Sequence, residues 1–386
     1  MNFIDAFGEL CARVNPMEGG YVLLRMLALL YLCGPMPAKG LALALGMPIP
    51  VISAANAELI RMGMALREPG GAALTERGRA AVALGLGFGD MDLGPFRDLV
   101  GLGPAGDGPL PHAAKRSFEA FAGLEEELGR IYAMRPTVDV SLDQSLCTPA
   151  TGLRRAALWL AERLSPSGEV IVLGDDDLVS VSLCMAVRRL RAGDHPGCGA
   201  LRVTVLELDG RFVEFLRSVA AEHGLPMEVV QHDLREALPE GLVGRHDCAY
   251  ADPPYTLQGL ELFLSRAAQA LKEGPGPTAY ISFGNKPPAF KVGMQRVIVG
   301  MGFAMEAIHG GFNEYEGAGV LGGRGSMHVL RSSGTLTPTV VGAYVGDLYT
   351  GDLRVGERDY RCAACGLTTK VGRGMAMATV EALKGS

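Results

Sequence analysis

Two short clusters in this chain have the residue types and spacing for chemistry. The first is Gly174, Asp175, Asp176 and Asp177, after one apolar run; the second is Asp252, Pro253, Pro254, Tyr255 and Thr256, after another. Three adjacent carboxylates repel phosphate and carboxylate and attract ammonium and sulfonium. Gly174 lets the backbone turn sharply before them. A solvated turn with an aspartate capping the helix at Leu178 is the plainer account of the same residues. In the second cluster two prolines stiffen the loop, so that an aspartate acceptor and an aromatic face hold an amine with little entropy left to lose. The same acceptor and ring suit an aliphatic amine through hydrogen bonding and cation–π attraction. A stiffened crossover is the plainer account here.

The elements around these clusters alternate. Strands are expected over Glu169–Leu173, Arg202–Leu208, Met227–Gln231, Asp247–Ala251 and Thr278–Phe283, with helices over Leu178–Arg191, Arg211–His223 and Gln258–Leu271. Repeating βα units imply a parallel sheet, and ligands bind beyond the carboxyl ends of its strands. Met305–Phe312 and Met327–Arg331 supply late, partly antiparallel strands. The order is similar to the class I methyltransferase fold, a Rossmann-like sheet that holds S-adenosyl donors. On it, Glu207 at the end of the second strand can accept both ribose hydroxyls of an adenosyl ligand. Asp209 beside it is either a second acceptor or a helix N-cap, and Asp233 after the third strand falls where such folds bind the adenine amino group.

Upstream, Tyr21–Leu32, Pro37–Leu45 and Pro50–Met62 read as three helices before a hairpin of Met64–Arg67 and Ala72–Leu74, with Thr75 capping a further helix. The pattern is similar to winged helix-turn-helix domains. Its third helix offers only Asn56 and Arg61 for reading bases, so a docking or dimerisation module is expected rather than DNA binding. Gly85–Pro111 is Gly-, Pro- and Asp-rich and reads as a linker, and Ala113–Met134 as an amphipathic helix. The expected units are residues 1–110, a catalytic α/β domain over 111–345 and a C-terminal segment over 346–386.

The net charge of −6 disfavours a nucleic-acid partner and favours cationic small molecules. Eight scattered cysteines are intracellular thiol usage, and Tyr21–Cys33, interrupted by Arg25, is too short to span a bilayer. A cytoplasmic protein is expected, with no membrane partner.

With both clusters in place, the chain resembles the branched-chain polyamine synthases, the N4-bis(aminopropyl)spermidine synthases. The likeness rests on the Gly-Asp-Asp-Asp and Asp-Pro-Pro-Tyr motifs and extends to Asp143, Gln144, Thr148 and Thr151, to Leu206 through Arg211, and to Gly311 through Ala318. It covers roughly Thr137 to Arg331. It implies transfer of aminopropyl groups from decarboxylated S-adenosylmethionine, as co-substrate, to a polyamine or other amine acceptor, with methylthioadenosine as by-product and a homodimeric enzyme. The resemblance to the Gly-rich loop of linear aminopropyltransferases gives Asp177 the donor's amino group or the nucleophile's proton. Asp252 is the competing base, and it brackets the attacking nitrogen with Pro253 and Tyr255. Gly174, Asp175, Asp176 and Gln144 are expected on the donor side; Asn313, Tyr315 and Glu316 are expected to close the acceptor pocket. Three other readings stand beside this one: S-adenosylmethionine-dependent aminocarboxypropyl transfer, amino-group methyl transfer, and a non-enzymatic winged-helix regulator. Cys362 and Cys365 form the knuckle of a zinc- or iron-binding ribbon, or an unmetallated thiol pair, since a tetrahedral site needs two further ligands.

Overall fold

The computed structural model describes residues 3–102, 121–191, 200–316, 323–350, 358–361 and 368–371. Cys362, Cys365, Gly317 and Ala318 lie outside the described residues. The N-terminal part holds α1 (Phe3–Val14), α2 (Gly20–Cys33), α3 (Ala38–Leu45) and α4 (Ile49–Arg61), then a hairpin of β1 (Ala65–Glu68) and β2 (Gly71–Leu74), and α5 (Glu76–Leu86). Thr75 caps α5 through a bond from the Gly78 N–H. The segment read as a linker contains one more helix, α6 (Leu93–Leu99): Asp92 caps it, and Phe96 and Leu99 are buried. Two apolar anchors in seven residues give too little periodicity to stand out from the glycines around them.

After α7 (Leu124–Tyr132) and α8 (Pro149–Arg163), a seven-stranded sheet forms from β3 (Gly168–Leu173), β4 (Leu201–Glu207), β5 (Met227–Gln231), β6 (Cys248–Ala251), β7 (Gly274–Gly284), β8 (Phe303–Glu314) and β9 (Arg324–Gly334). Their order is β5-β4-β3-β6-β7-β9-β8. The first five run parallel and the last two join antiparallel. Helices α9 (Val179–Arg189), α10 (Gly210–His223), α11 (Leu257–Ala270) and α12 (Pro288–Gly300) connect them. A short antiparallel pair, β10 (Arg358–Arg361) and β11 (Thr368–Val371), follows.

Strand side chains alternate between two cores. Val170, Val172, Val203, Val205 and Tyr250 pack with α8 and α9 in one core, which runs on without a break into the N-terminal helices. Ile171, Leu173, Leu206 and Ala251 face α11 and α12 in the other. The N-terminal part docks through Tyr21, whose hydroxyl donates to the Glu162 carbonyl at 2.5 Å beneath the Arg331 guanidinium, 4.3 Å from the ring centre. Among the described residues no helix is long and apolar enough to cross a membrane.

Candidate active site

Leu173 pairs with Leu206 on one side and Ala251 on the other, so Gly174, Glu207 and Asp252 leave the sheet at one level. That level is where the strand order reverses, the point at which open α/β sheets leave a crevice. Gly174 turns the chain there in the left-handed region, at φ 74°, where a side chain would be strained. A cavity of about 220 Å³ lies beyond the strand ends. Among the described residues its lining carries five carboxylates, Asp143, Asp176, Glu207, Asp233 and Asp252, and no lysine or arginine.

Burial, and like charge after it, act on these carboxyls. Burial, with Asp177, Glu207 and Asp252 nearby, holds the Asp176 carboxyl well above the usual range. Burial likewise raises Glu207, whose two oxygens accept the N–H groups of Asp175 at 2.7 Å and Asp209 at 2.8 Å. Asp252 is pushed up to about 7 by burial and by the adjoining Asp177, against the pull of Arg155. A bound cation relieves all three.

The three consecutive aspartates do different things. Asp175 points inward, accepts the N–H of Val179 at 2.6 Å and of Ser180 at 3.3 Å with the Ser180 hydroxyl, and so caps the start of α9 without touching the cavity. Burial raises its carboxyl to about 8 despite those bonds. Asp175→Ala is expected to cost about 1–2 kcal/mol of stability through the lost cap, read as a shifted urea midpoint at unchanged slope. Asp176 lines the cavity and accepts the Ser145 N–H at 3.1 Å. Asp177 turns beneath it, taking the Cys147 N–H at 2.6 Å and the Arg155 guanidinium at 2.7 Å.

Arg155 is the functional residue that the sequence reading missed. It is almost wholly buried, and its guanidinium reaches Asp177, Asp252 at 3.1 Å, and the side-chain oxygen of Asn313 at 3.0 Å. Its carrier, α8, is begun by Thr148, whose hydroxyl accepts the Thr151 N–H at 3.2 Å, with Pro149 in the first turn. Thr151, Arg155 and Trp159 follow at helical spacing on the face toward the sheet, polar at the strand ends and apolar below. The Thr-Pro start and the small apolar residues after it were the available signal.

A chain of hydroxyls completes the site. Tyr315 donates to Asp252 at 2.6 Å and receives the Tyr255 hydroxyl at 3.0 Å; Ser282 lies 2.6 Å from it and accepts from Asn313 at 2.8 Å. Burial pushes both phenols well above their usual range, so they stay protonated as donors. Pro253, Pro254 and Tyr255 form a cavity wall, and Gln144 lies opposite, donating to Asp209 at 3.2 Å. Asp209 caps α10 and pairs with Arg211. Asp233 faces the cavity while paired with Arg235. Glu316 lies outside the cavity lining, in an ion pair with Arg135 at 3.2 Å. Among the described residues no group of His, Cys, Asp and Glu could hold a metal ion.

The family model for the branched-chain polyamine synthase A C-terminal domain matches residues 124–328. An uncharacterised protein of Methanocaldococcus jannaschii is 30% identical over 96% of this chain and 88% of its own length. The N(4)-bis(aminopropyl)spermidine synthase of Thermococcus kodakarensis is 30% identical over 69% of this chain and 70% of its own length. The crystal structure of the Thermus thermophilus branched-chain polyamine synthase, in complex with N4-aminopropylspermidine and 5'-methylthioadenosine, superposes with a TM-score of 0.52 at 23% identity. That superposition covers 91% of this chain and 97% of that one. The fold is class I methyltransferase-like, with a mostly parallel sheet. With the family model covering Arg155, both motifs and the cavity lining apart from Leu348, Tyr349 and Thr350, the chain belongs to the branched-chain polyamine synthase family.

Proposed function

We propose that the protein transfers the aminopropyl group of decarboxylated S-adenosylmethionine to an amine nitrogen of a polyamine, giving a branched polyamine and methylthioadenosine. The observation that carries this reading is the cavity lining, which among the described residues has five carboxylates and no lysine or arginine. Such a lining suits a sulfonium donor bearing an ammonium tail, together with a polycationic acceptor. The carboxylate of ordinary S-adenosylmethionine would meet only like charge there. The guanidinium of Arg155 is already committed to Asp177, Asp252 and Asn313, and that of Arg235 to Asp233. Aminocarboxypropyl transfer is disfavoured for the same reason.

In the step itself, the neutral nitrogen attacks the methylene carbon next to sulfur in line with the C–S bond. The bonding pair leaves with sulfur as a neutral thioether, and the new ammonium gives up its proton. Asp252 receives that proton: it lines the cavity, and a group poised near 7 is matched to the task. Asp177, bridged to Asp252 by Arg155, positions its partner. Asp176 holds the donor's ammonium, Glu207 the ribose and Asp233 the adenine edge. Tyr255 covers the acceptor.

The deciding experiment incubates the protein with either donor and a panel of polyamines and identifies products by mass. Methylthioadenosine and a branched product from the decarboxylated donor are expected; turnover with ordinary S-adenosylmethionine alone sinks the reading. Asp176→Asn is expected to raise the donor KM about tenfold with a smaller change in kcat, since one charge facing an ammonium across a partly solvated cleft contributes about 1–2 kcal/mol.

The same reading makes residues 1–110 a winged-helix docking module. The order α2, α3, α4 and hairpin supports this, and Arg61 of α4 is tied to Glu58 and Glu9 rather than free for phosphate. It also includes a cytoplasmic homodimer, checked by light scattering. A metal held by Cys362 and Cys365 is checked by metal analysis of the purified protein with Cys362→Ser as control.

A further inference from the structure

Lys286 stands just past the end of β7, outside the cavity lining and beside Tyr255 of its wall. Its ammonium lies 5.1 Å from the ring centre of Phe290, 5.8 Å from Tyr255 and 6.0 Å from Phe283. The residue is half-buried, and among the described residues its nitrogen has neither a hydrogen-bond nor an ion-pair partner. Three ring faces are its whole coordination, with Asp143 of the cavity wall as the carboxylate that favours its charge against burial. An ammonium held on aromatic faces is also how a site recognises an alkylammonium ligand.

The Tyr255 ring links this position to the reacting centre. Its hydroxyl reaches Tyr315, and through it Asp252, while its face receives Lys286. Gly284 leaves room for the ring, since a Cβ there would come within 2.8 Å of it. An acceptor whose reacting nitrogen sits at Asp252 and whose chain follows the Tyr255 face meets the Lys286 ammonium next.

We propose that Lys286 fills, with its own ammonium, the outermost cation position along the acceptor path and so limits the length and charge of the amine that the site accepts. The inference rests on the aminopropyl-transfer reading above and names a specificity determinant within it. A lysine is otherwise a costly neighbour for a polycation, because two ammonium groups on one set of rings repel. A short acceptor stops before Lys286 and is unaffected. A longer one must displace it or leave its own terminal charge unpaired.

The test is calorimetric titration of the full chain with a linear triamine and a linear pentaamine, comparing wild type, Lys286→Met and Lys286→Arg. Methionine keeps the apolar stem and ring contact without the charge; arginine keeps the charge. Lys286→Met is expected to bind the pentaamine about tenfold more tightly, with the triamine changed by less than about twofold, and Lys286→Arg to behave as wild type. An equal gain for both amines, no change, or weaker pentaamine binding overturns the proposal. Binding needs no turnover, so a protein that binds the amines without releasing methylthioadenosine from the decarboxylated donor defeats the functional reading alone. A wild type that binds neither amine defeats both.

Discussion

Asp252→Asn is expected to lower kcat by about 10² to 10⁴, the range that a positioned acid–base group contributes. The variant keeps the size of the side chain and can still accept from Tyr315, so folding and amine binding should change little. The pH profile separates a base from a mere contact. In the wild type the carboxyl is raised to about 7, so the competent carboxylate is lost as pH falls through that value. Over that limb kcat/KM should drop about tenfold per pH unit, until the acceptor's own protonation steepens it. In Asp252→Asn the limb near 7 should vanish, leaving the dependence set by the amine alone. A variant that keeps the limb at 7 and loses only rate would move the proton to another group, with Asp176, a further raised carboxyl on the wall, as the next candidate.

The division of labour among the aspartates was only half legible in the sequence. That Gly174 and Asp252 would sit together at strand ends followed from the βα alternation, and strand register brings them to one level. What spacing could not assign was direction. Asp175, Asp176 and Asp177 are adjacent, yet the left-handed turns at Gly174 and Leu178 send one into the helix start, one into the cavity and one beneath it. Arg155 was invisible for a different reason. It stands beside Arg154 on a helix that also carries Glu162 and Arg163, so nothing local singles it out, and its partners are 22, 97 and 158 residues away in the chain. Asn313 and Tyr315 were drawn from the family resemblance, and both prove to be partners of Arg155 and Asp252 rather than parts of the cavity lining.

Arg155→Leu is expected to be the most damaging single change in the catalytic domain. Removing one partner of a buried ion pair strands the others, at a cost of about 3–5 kcal/mol, and here two carboxylates and an amide oxygen lose the same guanidinium. Urea unfolding should read that loss, and kcat should fall at least as far as in Asp252→Asn. Loss of folding alone would say nothing about positioning, so the second measurement is the pH limb. Arg155 draws the Asp252 carboxyl down, and its removal must move the limb above 7. Arg155→Lys keeps one charge but lacks the fork that reaches three acceptors, so it should recover most of the stability with kcat still reduced about tenfold to a hundredfold. The double variant Arg155→Leu with Asp177→Asn removes one of the stranded carboxylates and should regain part of the stability without regaining rate. Recovery of rate along with stability would make the guanidinium a structural brace. Stability without rate requires that the arginine act through the geometry and charge of the two aspartates above it.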